Sequence, residues 1–140
     1  MQIVDIRALK ARLRAEYRAK RTALTPEEKA WRDRRVAHTV RSLWQYRDND
    51  LLLVYVSTPI EVDTRAIIRQ ALEDGKRVAV PRCVPQTRQM DFYYIDSLEE
   101  LEPGCFGVLE PQPNSDRMVA DLSAGLCLIP AFSYDFDGYR

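Results

Sequence analysis

The sequence predicts an α/β fold: an open, mostly parallel sheet with flanking helices and an N-terminal helical hairpin. Three observations carry this reading. Leu51 to Val56 is an unbroken apolar, β-branched run, typical of a strand covered on both faces. A helical pattern with Ile67, Ile68, Ala71 and Leu72 on one side follows, and then a second short strand from Arg77 to Val80. Strand, helix and strand in that compass form a βαβ unit, parallel and right-handed.

Element by element, Ile6, Leu9, Leu13 and Tyr17 recur at spacings of three and four, which predicts an amphipathic helix over about 4–22. Thr25-Pro26-Glu27-Glu28 reads as an N-cap, a proline at the first helical position and a carboxylate at N3, a capping box opening a second helix. Its apolar positions are Val36, Val40, Leu43 and Trp44, and the two helices are expected to form a hairpin. Asp63 or Thr64 caps the helix after the first strand, and Gly75 is its C′ stop. Met90 to Ile95 is a third strand, and Ser97-Leu98-Glu99-Glu100 caps a single helical turn ended by Pro103-Gly104. Pro111, Pro113, Asn114 and Ser115 mark an extended loop before a buried strand from Leu126 to Ile129. Only AFSYDFDGYR follows that strand, so the sheet is expected to be incomplete at the C-terminus.

The 140 residues are one domain's worth, and residues 1–140 are read as a single α/β domain. No apolar run approaches a membrane span, and the start carries charges where a signal peptide needs an apolar core, which predicts cytoplasmic residence. Cys83, Cys105 and Cys127 show neither CxxC spacing nor a histidine cluster, so buried or inert thiols are favoured over zinc or disulfides. The net charge of zero conceals a division. Residues 1–47, the basic hairpin, hold 13 Lys and Arg against 5 Asp and Glu, and residues 48–140, the sheet-forming part, hold the compensating acidic excess. The basic part either clamps the acidic remainder or meets an anion.

Ser57-Thr58-Pro59 ends the first strand and leads to Glu61. In an open α/β sheet such a loop lies in the crevice where ligands collect. Glu61 is therefore either a ligand contact or a helix-entry carboxylate complementing the next helix dipole. Lys10, Arg14 and Arg18 fall at i, i+4 and i+8 on one helix face, with Arg7 and Arg21 nearby. Such a line costs about 0.2–0.5 kcal/mol per like-charged pair unless an anion lies across it. Phosphates would suit, and so would a solvated face or salt bridges to the acidic body. Glu110 before Pro111 is a turn-fixing or binding carboxylate, and Phe106, between Gly104 and Gly107, is a stacking surface or a core residue. His38 reads as structural, and Asp135 and Asp137 as a turn. No GxGxxG, Walker, GxSxG or HExxH motif occurs.

Together, K-x-x-x-R at Lys10 and Arg14, TPEE at 25–28, Y-x-S-x-P-x-E-V-D-T from Tyr55 to Thr64, GKRVAVPR from Gly75 to Arg82, MDF at 90–92, LEPGCFGVLEP at 101–111 and IPAFSYDFDGYR at 129–140 resemble the 5-formyltetrahydrofolate cyclo-ligase (5,10-methenyltetrahydrofolate synthetase) family, in order along the whole chain. The resemblance implies an enzyme that uses ATP, with Mg²⁺, to cyclise 5-formyltetrahydrofolate to 5,10-methenyltetrahydrofolate, releasing ADP and phosphate. It places Lys10, Arg14 and Arg140 against ATP, and Val56, Glu61 and Phe106 against the folate. Arg82 is carried as a contact to the glutamate tail. No residue is implied as a covalent catalyst, and none of these residues as a metal ligand. Family members continue past such an FDGYR segment into a glycine-rich ATP loop, so the chain is expected to be C-terminally truncated and impaired in turnover. The alternatives are a non-catalytic fragment that binds folate or nucleotide and, ranked lower, a nucleic-acid-binding protein acting through the basic helix. The leading reading expects a small-molecule substrate, no nucleic acid, no membrane, and a monomer or weak dimer.

Overall fold

The computed structural model describes residues 4–140. The chain opens with α1 (Ile6–Thr22), whose N-cap Asp5 accepts from the backbone N–H groups of Arg7 and Ala8. Helix α2 (Pro26–Ser42) starts on the expected capping box: the Thr25 hydroxyl accepts from Glu28 N–H at 3.1 Å, and the Glu28 carboxylate accepts from Thr25 N–H at 3.0 Å. It stops before Leu43, and a short helix α3 (Trp44–Asp48) carries the chain into β1 (Leu51–Val54). Helix α4 (Arg65–Glu73), β2 (Arg77–Cys83) and β3 (Met90–Ile95) follow. A small ribbon of β4 (Glu102–Pro103) and β5 (Leu109–Glu110) then precedes β6 (Leu126–Leu128).

The main sheet has the order β3-β2-β1-β6. Strand β1 runs parallel to β2 and to β6, whereas β3 is antiparallel to β2. The predicted βαβ unit is β1-α4-β2, and α4 ends as expected. Gly75 takes φ +79° at C′, its N–H reaches Leu72 C=O and Lys76 N–H reaches Ala71 C=O, which is the Schellman pattern.

Alternation along the strands divides the core between two faces. Leu52, Val54, Val78, Val80 and Ile95 meet Ile67, Ile68 and Ala71 of α4, with Val40 of α2 and Tyr46 of α3. Leu51, Leu53 and Ala79 face the other way, under Val119 and beside Phe92 and Tyr94. Coverage on both faces is why β1 reads as an unbroken apolar run.

Two packing expectations differ from the structure. Helix α1 buries no residue. Its stripe of Ile6, Leu9 and Leu13 lines a concavity with Pro130–Ser133 instead of closing a hairpin core, because the segment after β6 presents Phe132 to it. The strand over 126–129 is not buried. It is an edge with Cys127 and Ile129 exposed, since β1 is its one strand neighbour among the described residues. No helix among the described residues is long and apolar enough to cross a membrane.

Candidate functional site

Parallel pairing brings the carboxyl ends of β1, β2 and β6 to one end of the sheet. From β1 the chain crosses to β2 on one side, and it later returns to β6 on the other side of β1. The strand order therefore reverses between β1 and β6, and the crevice outside those two strand ends is where open α/β sheets take ligands.

The first wall of the crevice is the loop after β1. Ser57 and Thr64, both buried, lock its base: Ser57 N–H donates to Thr64 Oγ1 at 3.0 Å, and Thr64 N–H donates to Ser57 Oγ at 3.1 Å. Thr64 Oγ1 also donates to Tyr55 C=O at 2.7 Å, so it closes the loop and does not cap α4. Thr64 is the N-cap position but α4 has no side-chain cap; Asp63, one residue earlier, accepts from the first helical N–H, of Arg65, at 2.9 Å. Within the loop, Glu61 Oε1 accepts from Thr58 N–H at 2.9 Å and from Thr58 Oγ1 at 2.7 Å. The carboxylate is thereby fixed by its own turn, and its second oxygen carries no hydrogen bond among the described residues. Burial, with the Glu61 charge as a lesser cause, pushes the neighbouring Tyr55 phenol up to about 12.

The second wall is Pro130–Ser133 after β6, and α1 joins the two. The Arg21 guanidinium donates to the carbonyls of Ala131 and Phe132, the latter at 3.0 Å, and reaches Ile60 C=O at 3.5 Å. It also lies over the Phe132 ring, 5.2 Å from the centroid, as does Arg18. Of the cationic line read from the sequence, then, Arg18 and Arg21 serve the docking of α1. Lys10 and Arg14 do not. With Arg140 they line a concavity of about 490 Å³, together with Ile6, Leu9, Leu13 and Pro130–Ser133. No carboxylate lines it, and none of the three cations makes an ion pair among the described residues. Arg140 donates to Pro130 C=O at 3.1 Å, and the preceding turn is held by Asp135 Oδ1, which accepts from the N–H groups of Asp137 and Tyr139.

Glu61 lines a neighbouring concavity of about 400 Å³ with Ile60, Val62, Trp31, the cations Arg21, Arg32 and Arg35, and the ion pair of Lys29 with Asp33. Arg21 stands between the two, so the structure brings Lys10, Arg14, Arg140 and Glu61 to one end of the sheet. Val56 it places beneath, in the core at 4% exposure. Phe106 is 96% exposed, which removes the core reading, and lines neither concavity. Its φ of +58° is left-handed, a conformation that costs a side-chain-bearing residue about 1–2 kcal/mol.

Arg21 is the residue that sequence reasoning undervalued. Nothing in its helix distinguishes it from the other cations, since its partners lie in two distant loops. Arg82 is engaged within the chain, donating to Pro111 C=O at 2.8 Å and pairing with Glu102 at 3.4 Å and Glu110 at 3.9 Å. Glu110 is buried and accepts from Cys83 N–H at 3.3 Å. Burial, then Glu110, pushes the Cys83 thiol up from its ordinary value.

A cationic helix clamped across a switch-point crevice is an arrangement shared with α/β proteins that take small ligands at the carboxyl ends of parallel strands. The chain belongs to the 5-formyltetrahydrofolate cyclo-ligase family, whose sequence pattern matches residues 6–140. It is 30% identical to the 5-formyltetrahydrofolate cyclo-ligase of Mus musculus over 145 aligned residues, covering all of this chain and 71% of the mouse protein. A probable 5-formyltetrahydrofolate cyclo-ligase of Caenorhabditis elegans is 32% identical over 77 residues, 53% of this chain and 37% of the worm protein. The solution structure of Aquifex aeolicus 5,10-methenyltetrahydrofolate synthetase superposes with a TM-score of 0.81 at 25% identity, over 94% of this chain and 66% of that one. The sheet with its flanking helices is the fold of that structure.

Proposed function

We propose that the crevice binds ATP and 5-formyltetrahydrofolate side by side for the ATP-dependent cyclisation that yields 5,10-methenyltetrahydrofolate, ADP and phosphate. In this reading the formyl oxygen accepts the γ-phosphoryl group, N10 attacks the activated carbon, and phosphate leaves. Such transfer depends on positioning and charge neutralisation more than on covalent catalysis. Lys10, Arg14 and Arg140 hold the triphosphate. Glu61 offers its second oxygen to pterin N–H donors, with Trp31 beside the ring, and Arg32 and Arg35 receive the carboxylates of the glutamate portion. Phe106 reaches the folate only if its loop closes over the crevice, and Val56 acts from below by supporting the loop that carries Glu61.

The observation that carries the reading is the convergence of Lys10, Arg14 and Arg140, none ion-paired among the described residues, on one concavity that no described Asp or Glu side chain lines. The same observation limits it for magnesium. The concavity lacks an acidic ligand, and one oxygen of Asp135 is taken by its own turn, so no residue among those described is assigned to the ion. The ion would arrive on the nucleotide's phosphates. The proposal includes residence in the cytoplasm, a monomer or weak dimer, and neither a nucleic-acid nor a membrane partner.

Calorimetry on the folded chain tests it. ATP and 5-formyltetrahydrofolate should each bind, and Lys10→Ala or Arg14→Ala should weaken ATP by about 10-fold or more, as expected for a charge-assisted phosphate contact. Folate binding should be little changed. ATP affinity untouched by the double substitution would remove the assignment.

A further inference from the structure

Cys83 ends β2 and Cys105 sits at the tip of the β4–β5 ribbon, far apart in the chain, yet in space they meet. The two Sγ atoms and a carboxylate oxygen of Glu110 all lie within 4.8 Å of one another. Glu110 comes from β5 and is 4% exposed, so its charge is turned inward. The ribbon is shaped around it: a Cβ on Gly104 would stand 2.3 Å from Glu110 Cδ. The Arg82 guanidinium lies beside Glu110 Oε2, at 3.9 Å.

We propose that Cys83, Cys105 and Glu110 form a site for a borderline-soft divalent cation, zinc foremost, with three protein ligands and an open fourth position. Two thiolates and one carboxylate are a donor set that suits zinc and disfavours magnesium or calcium. In a tetrahedral site with Zn–S of about 2.3 Å the donors are roughly 3.8 Å apart, so from a 4.8 Å triangle each would move inward by about 0.6 Å at most. Cys105 is exposed, in the single 3-10 turn Cys105–Gly107 that links β4 to β5. Binding converts each thiol to a thiolate and releases its proton to solvent, and nothing is oxidised or reduced. The resulting centre carries one net negative charge, which Arg82 offsets. Bound metal would tie the ribbon tip to the end of β2 and hold the backbone beside Phe106.

The test uses the fully reduced 140-residue chain, stripped with a chelator, and titrates it with Co²⁺ and with Zn²⁺ against a chromophoric competitor. One equivalent per chain is expected, with a thiolate-to-cobalt charge-transfer absorption that zinc displaces. Bound zinc should also slow the reaction of two of the three thiols with an alkylating reagent. Cys105→Ser, at an exposed position where folding is not at stake, should weaken zinc at least 10-fold and diminish the absorption. Cys127→Ser, at the exposed thiol of β6, should alter neither. The proposal is overturned by a folded, reduced protein that gives no thiolate absorption, by zinc affinity that Cys105→Ser leaves intact, or by loss of binding on replacing Cys127.

Discussion

Replacing Arg21 by methionine keeps the length and apolar bulk of the side chain and removes the one group that joins α1 to both walls of the crevice. It donates to the carbonyls of Ala131 and Phe132, the latter at an ordinary 3.0 Å, and the contact to Ile60 at 3.5 Å is marginal. Hydrogen bonds from a charged donor contribute about 1.5–3 kcal/mol each, and the lower end applies in a half-buried setting where water replaces the lost donor. The Phe132 contact adds about 0.5–1 kcal/mol. The expected loss is therefore about 3.5–4 kcal/mol, which for a chain of this size lowers Tm by roughly 12–14 °C. Arg21→Lys should recover only part, because an ammonium lacks the planar fork that reaches two successive carbonyls. Urea denaturation measures the loss, and hydrogen exchange locates it: α1 amides should exchange faster while those of β1 and β2 are still protected. If Arg21→Met costs under about 0.5 kcal/mol and leaves α1 exchange unchanged, the clamp is not what holds the helix to the crevice.

Two glycines should fail for different reasons when changed to alanine. Gly104→Ala drives a methyl into the buried Glu110 side chain and should cost about 1–3 kcal/mol by overpacking, whereas Gly75→Ala meets nothing within 4 Å and should cost about 1 kcal/mol through its φ of +79° alone; denaturation midpoints would show both, and a harmless Gly104→Ala would contradict the close approach. Burial raises the phenols of Tyr46 and Tyr55 to about 12 in the folded protein, against about 10 unfolded. The folded state then holds more protons than the unfolded state between those values, so their contribution is complete below about pH 10 and is lost as pH rises toward 12. Stability followed across that window should fall less steeply in Tyr55→Phe than in the parent chain, and an identical slope would show that Tyr55 is not so perturbed.

Features whose causes lie within a few residues could be read before any fold was known. The Thr25–Glu28 capping box, the Ser97–Glu100 capping box and the stop at Gly75 all form as expected, because their hydrogen bonds span two to five residues. The candidate site was partly legible. Glu61 stood out because a charge interrupts an apolar context, and Lys10 and Arg14 because helical spacing aligns them. Val56 was singled out by the family resemblance alone, since a strand covered on both faces looks the same in sequence at its buried end and at its ligand end.

By itself, the sequence determined the principal helices and the strands of the main sheet, the parallel β1-α4-β2 unit, and the charge separation between the first 47 residues and the rest, but not α3 or the β4–β5 ribbon. Only the tertiary structure decided that β6 pairs on the far side of β1, which creates the crevice, that Arg21 rather than its neighbours clamps α1, and that Cys83, Cys105 and Glu110 come within 4.8 Å of one another. The division has a physical cause. Periodicity and capping are encoded by neighbours along the chain, whereas strand order and the meeting of distant side chains follow from which arrangement buries the most apolar surface while pairing every backbone group, and no single segment carries that information.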